Sequence, residues 1–566
     1  MKKKTIFLVQ LGSKLMLNIS ILAIGLTIYS CKPEMEAIEE QKVDSNALSS
    51  ARVTDYTLKS VSDFKVGCAE EFGRTYGNDV ALQNLIKKEY DRLTSNELKM
   101  DFVGYQENGF INYANLDNEL NFAKNNGLDL FGHTLLYYNS SPDWFKNINT
   151  KAALEFNTKR YIEAMVKRAE QSNFGGVLKG IDVANELFNY DGNWNGASIN
   201  GSAVDNAQKW RNLYASDDEF KHFIGRCFKW ARDADNLNGT TNIKLFYNDY
   251  DQESFPNKRN AIYNLCLWLK NNNYPIDGIG LQFHLLINDN PAQGFDRPTT
   301  TSGVTLAIDQ ASQLSNGFFD IHISELDFRM DKNVSSAPLY NYAEQWKQYD
   351  LARFVVNKYR TTVNPSKQFG VTLWNITDQH TWYNKPYIAN DKDFPTLFDV
   401  NSNRKIAYYG YLSGASPQNQ YFIPETFFHL YNEGSGKYAE VENGSTVDAA
   451  LIKQQYLKSS NNKQVFQLLY NNAGYYNIKN INSNKVWDHY VNAPFNIQQY
   501  GSESNPINRL FAFEGVGQGK FIIKAKTVYP NNVIKTVQVP SVNNAAQLQL
   551  VNLNYQSGFQ YWKLEE

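Results

Sequence analysis

From residue 64 onward the hydrophobic positions switch repeatedly between two periods. Short runs such as Phe64-Lys65-Val66-Gly67-Cys68-Ala69 read as buried strands. Longer spans with apolar residues three and four apart read as helices. Strands are expected at 64–69, 92–94, 128–133, 180–184, 244–247, 276–282, from Phe319 into Glu325, and at 369–374. Helical stretches are expected at 80–90, 116–125, 158–171, 220–235, 257–271, 304–314 and 339–359. Each strand but the last is followed by a helix before the next strand. That alternation gives parallel strands joined by crossover helices. Eight such units in about 350 residues predict a closed (β/α)8 TIM barrel over residues 61–413. An open doubly wound sheet would carry a glycine-rich turn after its first strand, and Cys68-Ala69-Glu70 has none. After Ser413-Gly414-Ala415 the pattern changes again. Residues 420–566 are rich in Asn, Gln, Tyr and Val in short alternating runs, which predicts a smaller all-β domain.

The ends of the barrel strands are polar. They carry Asn96 and Lys99, His133, Asn185-Glu186, Asn248-Asp249, Gln282 and His284, Glu325 and Asp327, and Trp374. A buried strand that delivers acids at its C-terminal end is unusual, because an unpaired buried charge is costly. Surface residues would scatter over helices and loops. Coincidence with strand ends is what a barrel active site requires.

Composition narrows the picture. The 566 residues carry 56 Lys+Arg against 58 Asp+Glu, a net charge of −2. A dedicated nucleic-acid binder would be basic, so no nucleic-acid partner is expected. Aromatics make up 14%, with 36 Tyr and 10 Trp. That load suits either grooves that stack on sugar faces or an aromatic-rich core. The four cysteines, Cys31, Cys68, Cys227 and Cys266, form no CxxC pair, although Cys227 and Cys266 could bridge. No phosphate loop and no HExxH helix is present, and no metal or cofactor is implied.

The first residues read as a targeting segment. Lys2-Lys3-Lys4 precedes an apolar run from Leu15 to Tyr29 that is short for a membrane span. The sequence Thr27-Ile28-Tyr29-Ser30-Cys31 resembles a bacterial lipoprotein signal. It implies cleavage before Cys31 and lipidation of its thiol, hence a membrane partner. The protein would then sit in the cell envelope, at the outer membrane, facing periplasm or exterior. Residues 32–60 are polar and are expected to be a flexible linker.

Seven barrel motifs, in order, resemble glycoside hydrolase family 10, the endo-β-1,4-xylanases. Ile181-Asp182-Val183-Ala184-Asn185-Glu186 is similar to W-D-V-V-N-E, and Gly132-His133-Thr134-Leu135 to R-G-H-T-L. IDGIGLQFH over 276–284 resembles I-D-G-I-G-x-Q-x-H, and Ile323 to Asp327 resembles I-T-E-L-D. Leu373-Trp374, Thr377-Asp378 and Trp382 follow V-W-G-x-x-D-x-x-S-W. Asn96 and Lys99 keep part of E-N-x-M-K, and the segment from Pro395 to Tyr408 matches the closing one. The resemblance implies a retaining β-glycanase with Glu186 as acid/base and Glu325 as nucleophile, their carboxyls about 5–5.5 Å apart. It also implies sugar contacts from Asn185, Gln282, His133, Lys99 and Asn96, the first two at the cleavage-site sugar, with Gln282 also touching the nucleophile. Trp374 and Trp382 would form an aromatic cover. His284 and Asp327 would stand behind Glu325, the imidazole bonded to it and the aspartate orienting the ring. The substrate is xylan or a related β-glycan. The chain departs from the pattern at Tyr137 (Trp in the motif), Ser140 (Gln), Ser95 (Glu) and Ile181 (Trp), all on the glycone side. Two alternatives stay open: action on another β-glycan or a decorated xylan, and a surface glycan binder that has lost catalysis.

The tail carries a weak repeat. Gln464-Val465-Phe466, Arg509-Leu510-Phe511 and Gln560-Tyr561-Trp562 are similar to successive Q-x-W repeats. They resemble a ricin-type β-trefoil, a carbohydrate-binding module. Asp488 and Tyr500 are its candidate sugar site.

Overall fold

A computed structural model describes residues 52–566 apart from 172, 196–206, 237–242, 288–299, 315–316, 330–341, 385–392, 458–461, 472, 502–506, 528 and 530–532. The signal, Cys31 and most of the expected linker lie outside the described residues. The linker's last residues do not behave as a leash. Val53 and Leu58 are fully buried, within the helical turns Val53–Asp55 and Leu58–Val61. Packed structure therefore begins well before residue 61, because two apolar side chains find core there.

The eight strands are β1 (Val66–Glu70), β2 (Arg92–Ser95), β3 (Asp129–Gly132), β4 (Leu178–Asn185), β5 (Lys244–Asp249), β6 (Gly278–Leu281), β7 (Asp320–Arg329) and β8 (Gln368–Trp374). All neighbours pair in parallel, β6 pairs with β7, and β8 returns to β1 with Cys68 opposite Leu373, so the sheet closes. The interior is filled by Phe131, Phe246, His322 and Phe369, with ring centroids 4.6–5.9 Å apart. The Arg92 guanidinium lies 4.0 Å from the Phe369 ring centroid and donates to the Phe369 carbonyl. Gly180 and Gly278 make room for this plug. A Cβ at Gly180 would lie 2.8 Å from Phe131 and Phe369, and one at Gly278 2.1 Å from Phe246.

β7 runs four residues past Glu325. A short strand, His284–Leu286, pairs with that extension and sets His284 opposite Asp327. A helix the sequence pattern did not predict follows β8, at Ile406–Ala415. All ten of its residues are buried, so it has no polar stripe and no helical period to read.

Cys227 and Cys266 do not bridge. They are free thiols on the separate helices Asp217–Asp235 and Pro256–Asn271, and burial pushes both thiols up.

Among the described residues the tail folds into twelve antiparallel strands between Phe427 and Glu565. Three short helical turns, Asn462–Gln464, Ile507–Arg509 and Gly558–Gln560, each lead into a strand whose Phe466, Phe511 or Trp562 is fully buried. These are the three Q-x-W repeats. The tail packs on the barrel through the helix Tyr342–Thr362. Trp346 is set edge-on to Phe521 at 5.1 Å, and the Gly519 amide donates to Asp350 Oδ2 at 2.7 Å. The Tyr349 hydroxyl donates to the Phe422 carbonyl at 3.1 Å.

Candidate active site

The strand ends of the barrel open into a cleft of about 660 Å³. Glu186, one residue past β4, and Glu325, on β7, both line it, with Asn96, Lys99, His133, Gln282, His284, Trp374 and Trp382. Asn185 and Asp327 are buried behind that lining. Glu186 has φ of 55°, in the left-handed region, as do Phe283 and Asn375 after β6 and β8. Non-glycine residues are held there against a cost of about 1–3 kcal/mol each, and such positions gather at functional sites.

The two carboxyls share one network. Gln282 Nε2 donates to Glu186 Oε1 at 3.1 Å and to Asn185 Oδ1 at 3.4 Å. Asn248 Nδ2 donates to Asn185 Oδ1 at 3.0 Å and to Glu325 Oε1 at 2.7 Å. Gln282 thus bonds Glu186, not the nucleophile position the family pattern implied. Asn248 is fixed in turn by Ser324, whose hydroxyl donates to its Oδ1 at 2.6 Å. Behind Glu325, His284 spans the gap to Asp327. Its Nε2 is 3.2 Å from Glu325 Oε2 and its Nδ1 2.7 Å from Asp327 Oδ2. His133 Nδ1 is 2.8 Å from Asp182 Oδ2. Trp374 faces His133 and Lys99, and Trp382 stands 5.7 Å from His284.

These surroundings bias the two acids in opposite directions. Burial pushes the Glu186 carboxyl above the ordinary range. The charges of Asp249 and Glu325 add to the rise, and the bonds from Tyr137 and Gln282 offset part of it. The dominant cause is therefore burial, with Glu325 a smaller contributor. Burial would raise Glu325 too, but His133, His284 and Lys99 outweigh it and hold this carboxyl below the usual range. His133 is itself lowered to about 3, by burial first. It is neutral near pH 7, so the hold on Glu325 then falls to His284 and Lys99. Burial acts against protonation of His284, yet Asp327 and Glu325 raise it to about 10. Two titratable groups pushed apart in this way can divide acid and nucleophile roles between them.

The raised His284 value has a consequence for stability. An unfolded His titrates near 6.5, so the charged imidazolium stabilises the fold fully below about pH 6.5. That contribution falls as pH rises toward 10 and is gone above it. The melting temperature should therefore drop between pH 7 and pH 10 more steeply in the parent protein than in His284→Asn, a difference calorimetry would measure.

Several residues in and behind the cleft had no role assigned from the sequence. Tyr137 donates its hydroxyl to Glu186 Oε2 at 2.7 Å; the sequence marked it only as a departure. Asn248 was visible as a strand-end residue, and it sits in register with Asn185. Glu70, at the end of β1, is pushed up to about 7 by burial and accepts from Asn375 at 3.4 Å. Asn375 in turn accepts from the Trp382 amide. Ser95 turns away from the cleft, fully buried, and bonds Glu119.

In the tail, Asp488 and Tyr500 do not form an open sugar site. Asp488 is 4% exposed. Its Oδ2 accepts from Arg509 Nε at 2.8 Å and Asn508 Nδ2 at 2.9 Å, its Oδ1 accepts from Gln498 at 3.2 Å, and Arg509 also lies over the Tyr500 ring. Arg509 stands where the other two repeats carry Gln, and it neutralises the acid from within. Asp488→Ala would leave that guanidinium buried without its carboxylate, so a loss of about 3–5 kcal/mol is expected in chemical denaturation.

A closed parallel barrel with two oppositely biased carboxyls in one cleft falls in the two-carboxylate class of (β/α)8 proteins. The chain belongs to glycosyl hydrolase family 10, whose model matches residues 57–413. A ricin-type β-trefoil lectin domain-like model matches residues 418–500. Endo-1,4-beta-xylanase A of Thermotoga maritima is 28% identical over 411 residues, 70% of this chain and 33% of that protein. Endo-1,4-beta-xylanase A of Cellvibrio japonicus is 29% identical over 376 residues, 63% of this chain and 56% of that protein. The chain thus spans between a third and just over half the length of these curated relatives. Among solved structures, a thermostable mutant of a xylanase from Cellvibrio japonicus superposes with a TM-score of 0.52 at 26% identity. It covers 63% of this chain and 99% of its own. A mutant of xylanase A from P fluorescens subsp. cellulosa, in complex with xylopentaose, gives the same TM-score, identity and coverage.

Proposed function

We propose that the protein is a retaining endo-β-1,4-glycanase that cleaves xylan. The observation that carries this reading is the opposed bias of Glu186 and Glu325 across one open cleft. Glu325 attacks the anomeric carbon while Glu186 gives its proton to the leaving glycosidic oxygen. The products of that step are a glycosyl ester on Glu325 and a free hydroxyl on the aglycone. Water then attacks the same carbon, Glu186 takes its proton, and Glu325 leaves as a carboxylate. Asn185 is suited to hold the 2-hydroxyl, because Gln282 and Asn248 fix its carbonyl from both sides. His133, Lys99 and Asn96 contact the glycone, and Trp374 with Trp382 covers it.

The relatives' names support xylan as substrate. A panel of β-glycans with reducing-sugar release as readout tests it, and proton NMR of the first product tests retention. The β-anomer should appear first; release from no polysaccharide, or an α-anomer first, would sink the reading.

The glycone wall favours a decorated or atypical chain, since Ser95 offers the cleft no carboxylate and Tyr137 and Ser140 replace larger groups. Tyr137→Trp with Ser140→Gln should change the ratio of rates on plain and decorated xylan.

The module is read as carbohydrate-binding through its family likeness. Retention of the full chain on insoluble xylan after Glu325→Ala tests that. Cys31 is read as the lipid anchor from its signal alone. Fatty-acid labelling that is lost in Cys31→Ala would support it.

A further inference from the structure

The side chain of Tyr137 reaches into the cleft from beyond β3. It is half-buried, and its hydroxyl sits between two polar groups. Asn139 Nδ2 donates to it at 3.2 Å, and it donates to Glu186 Oε2 at 2.7 Å. Gln282 holds the other oxygen, Oε1, at 3.1 Å. Each oxygen of the carboxyl therefore has its own fixed donor, one from the connection after β3 and one from the end of β6, on either side of β4. The Glu186 main chain leaves the strand at φ of 55° and is held by its own bonds. Its amide donates to the Asn248 carbonyl at 3.0 Å, and its carbonyl accepts from Asn195 Nδ2 at 3.2 Å. The carboxyl's orientation therefore rests on the side-chain donors Tyr137 and Gln282.

We propose that Tyr137 is a positioning residue for Glu186, whose hydroxyl fixes the orientation of the carboxyl and sets the pH above which it no longer keeps its proton. This rests on the reading of Glu186 as the acid/base. A phenol hydroxyl that donates to a carboxylate favours the charged form. Tyr137 therefore works against burial, keeping Glu186 a usable base in the second step while it remains an acid in the first. Asp249 (paired with Lys258), Glu325 and Lys99 also face Glu186 and act on it through charge, while the nearby Tyr250 is held neutral by burial. Tyr137 supplies a direct bond that a single atom's removal deletes.

Tyr137→Phe is that removal. In the full chain, with 13C-labelled glutamate, the Glu186 carboxyl should titrate about one pH unit higher than in the parent protein. The alkaline limb of kcat/KM on a xylo-oligosaccharide should move upward by the same amount. A residue that merely fills space would lower kcat without moving the limb. An unmoved titration overturns the proposal. If Tyr137→Phe does not fold, Asn139→Ala carries the test, with a smaller upward shift expected and no shift overturning it. The carboxyl titration does not depend on turnover. A shifted titration in a protein that cleaves no glycan would defeat the hydrolase reading and leave the Tyr137–Glu186 coupling standing.

Discussion

Glu325→Gln should lower xylan hydrolysis by about four to six orders of magnitude with the fold intact. The amide matches the carboxylate in shape, but its single oxygen can accept from only one of Asn248 and His284, and it cannot form the glycosyl ester. Glu186→Ala should behave differently. The first step still proceeds on substrates whose leaving group needs no proton, because Glu325 is untouched. Added azide should then restore turnover and appear as a β-glycosyl azide, since a small anion can enter the space of the lost carboxyl and attack the ester. Azide rescue of Glu186→Ala with a β product, and none with Glu325→Gln, would assign the two roles. The reverse pattern would exchange them. Chromatographic product analysis reads all these outcomes.

The second large effect is on stability. Trp346 is 3% exposed, and it meets Phe521 at 5.1 Å and Phe428 at 6.5 Å. Both partners belong to the β-rich tail. Trp346→Ala should destabilise the protein by about 3–5 kcal/mol. Truncation after Ala415 should cost more, because it bares Trp346 and strips Asp350 and Tyr349 of their partners in the tail and its lead-in, Gly519 and Phe422. Soluble yield and melting temperature compare the variants with the full chain. A truncated barrel that melts where the full protein does would show that this interface contributes nothing.

Much of the barrel was legible because its strands and helices carry different periods, each buried on a predictable side. What escaped lacked that contrast. Ile406–Ala415 is buried on every face, and Val53 and Leu58 are single apolar residues in a polar stretch. The arrangement around Glu325 was readable from the family resemblance of the motifs that carry it. Glu325 and Asp327 are two apart on one strand, and His284 follows Gln282 by two. Tyr137 on Glu186 was not readable, since it depends on how two connections turn after leaving different strands. Asp488 misled for a related reason. An acid and an aromatic resemble a sugar site in sequence, while the arginine that closes it lies 21 residues away, beyond any local pattern.

The docking of the tail onto the helix Tyr342–Thr362 has a consequence for how the two parts cooperate. A module on a slack tether searches a volume set by tether length. Here Trp346, Asp350 and Tyr349 fasten it to the barrel wall. Any polymer it grips would reach the catalytic mouth along one fixed bearing. Chains that cannot bend to that bearing would gain nothing from the second domain.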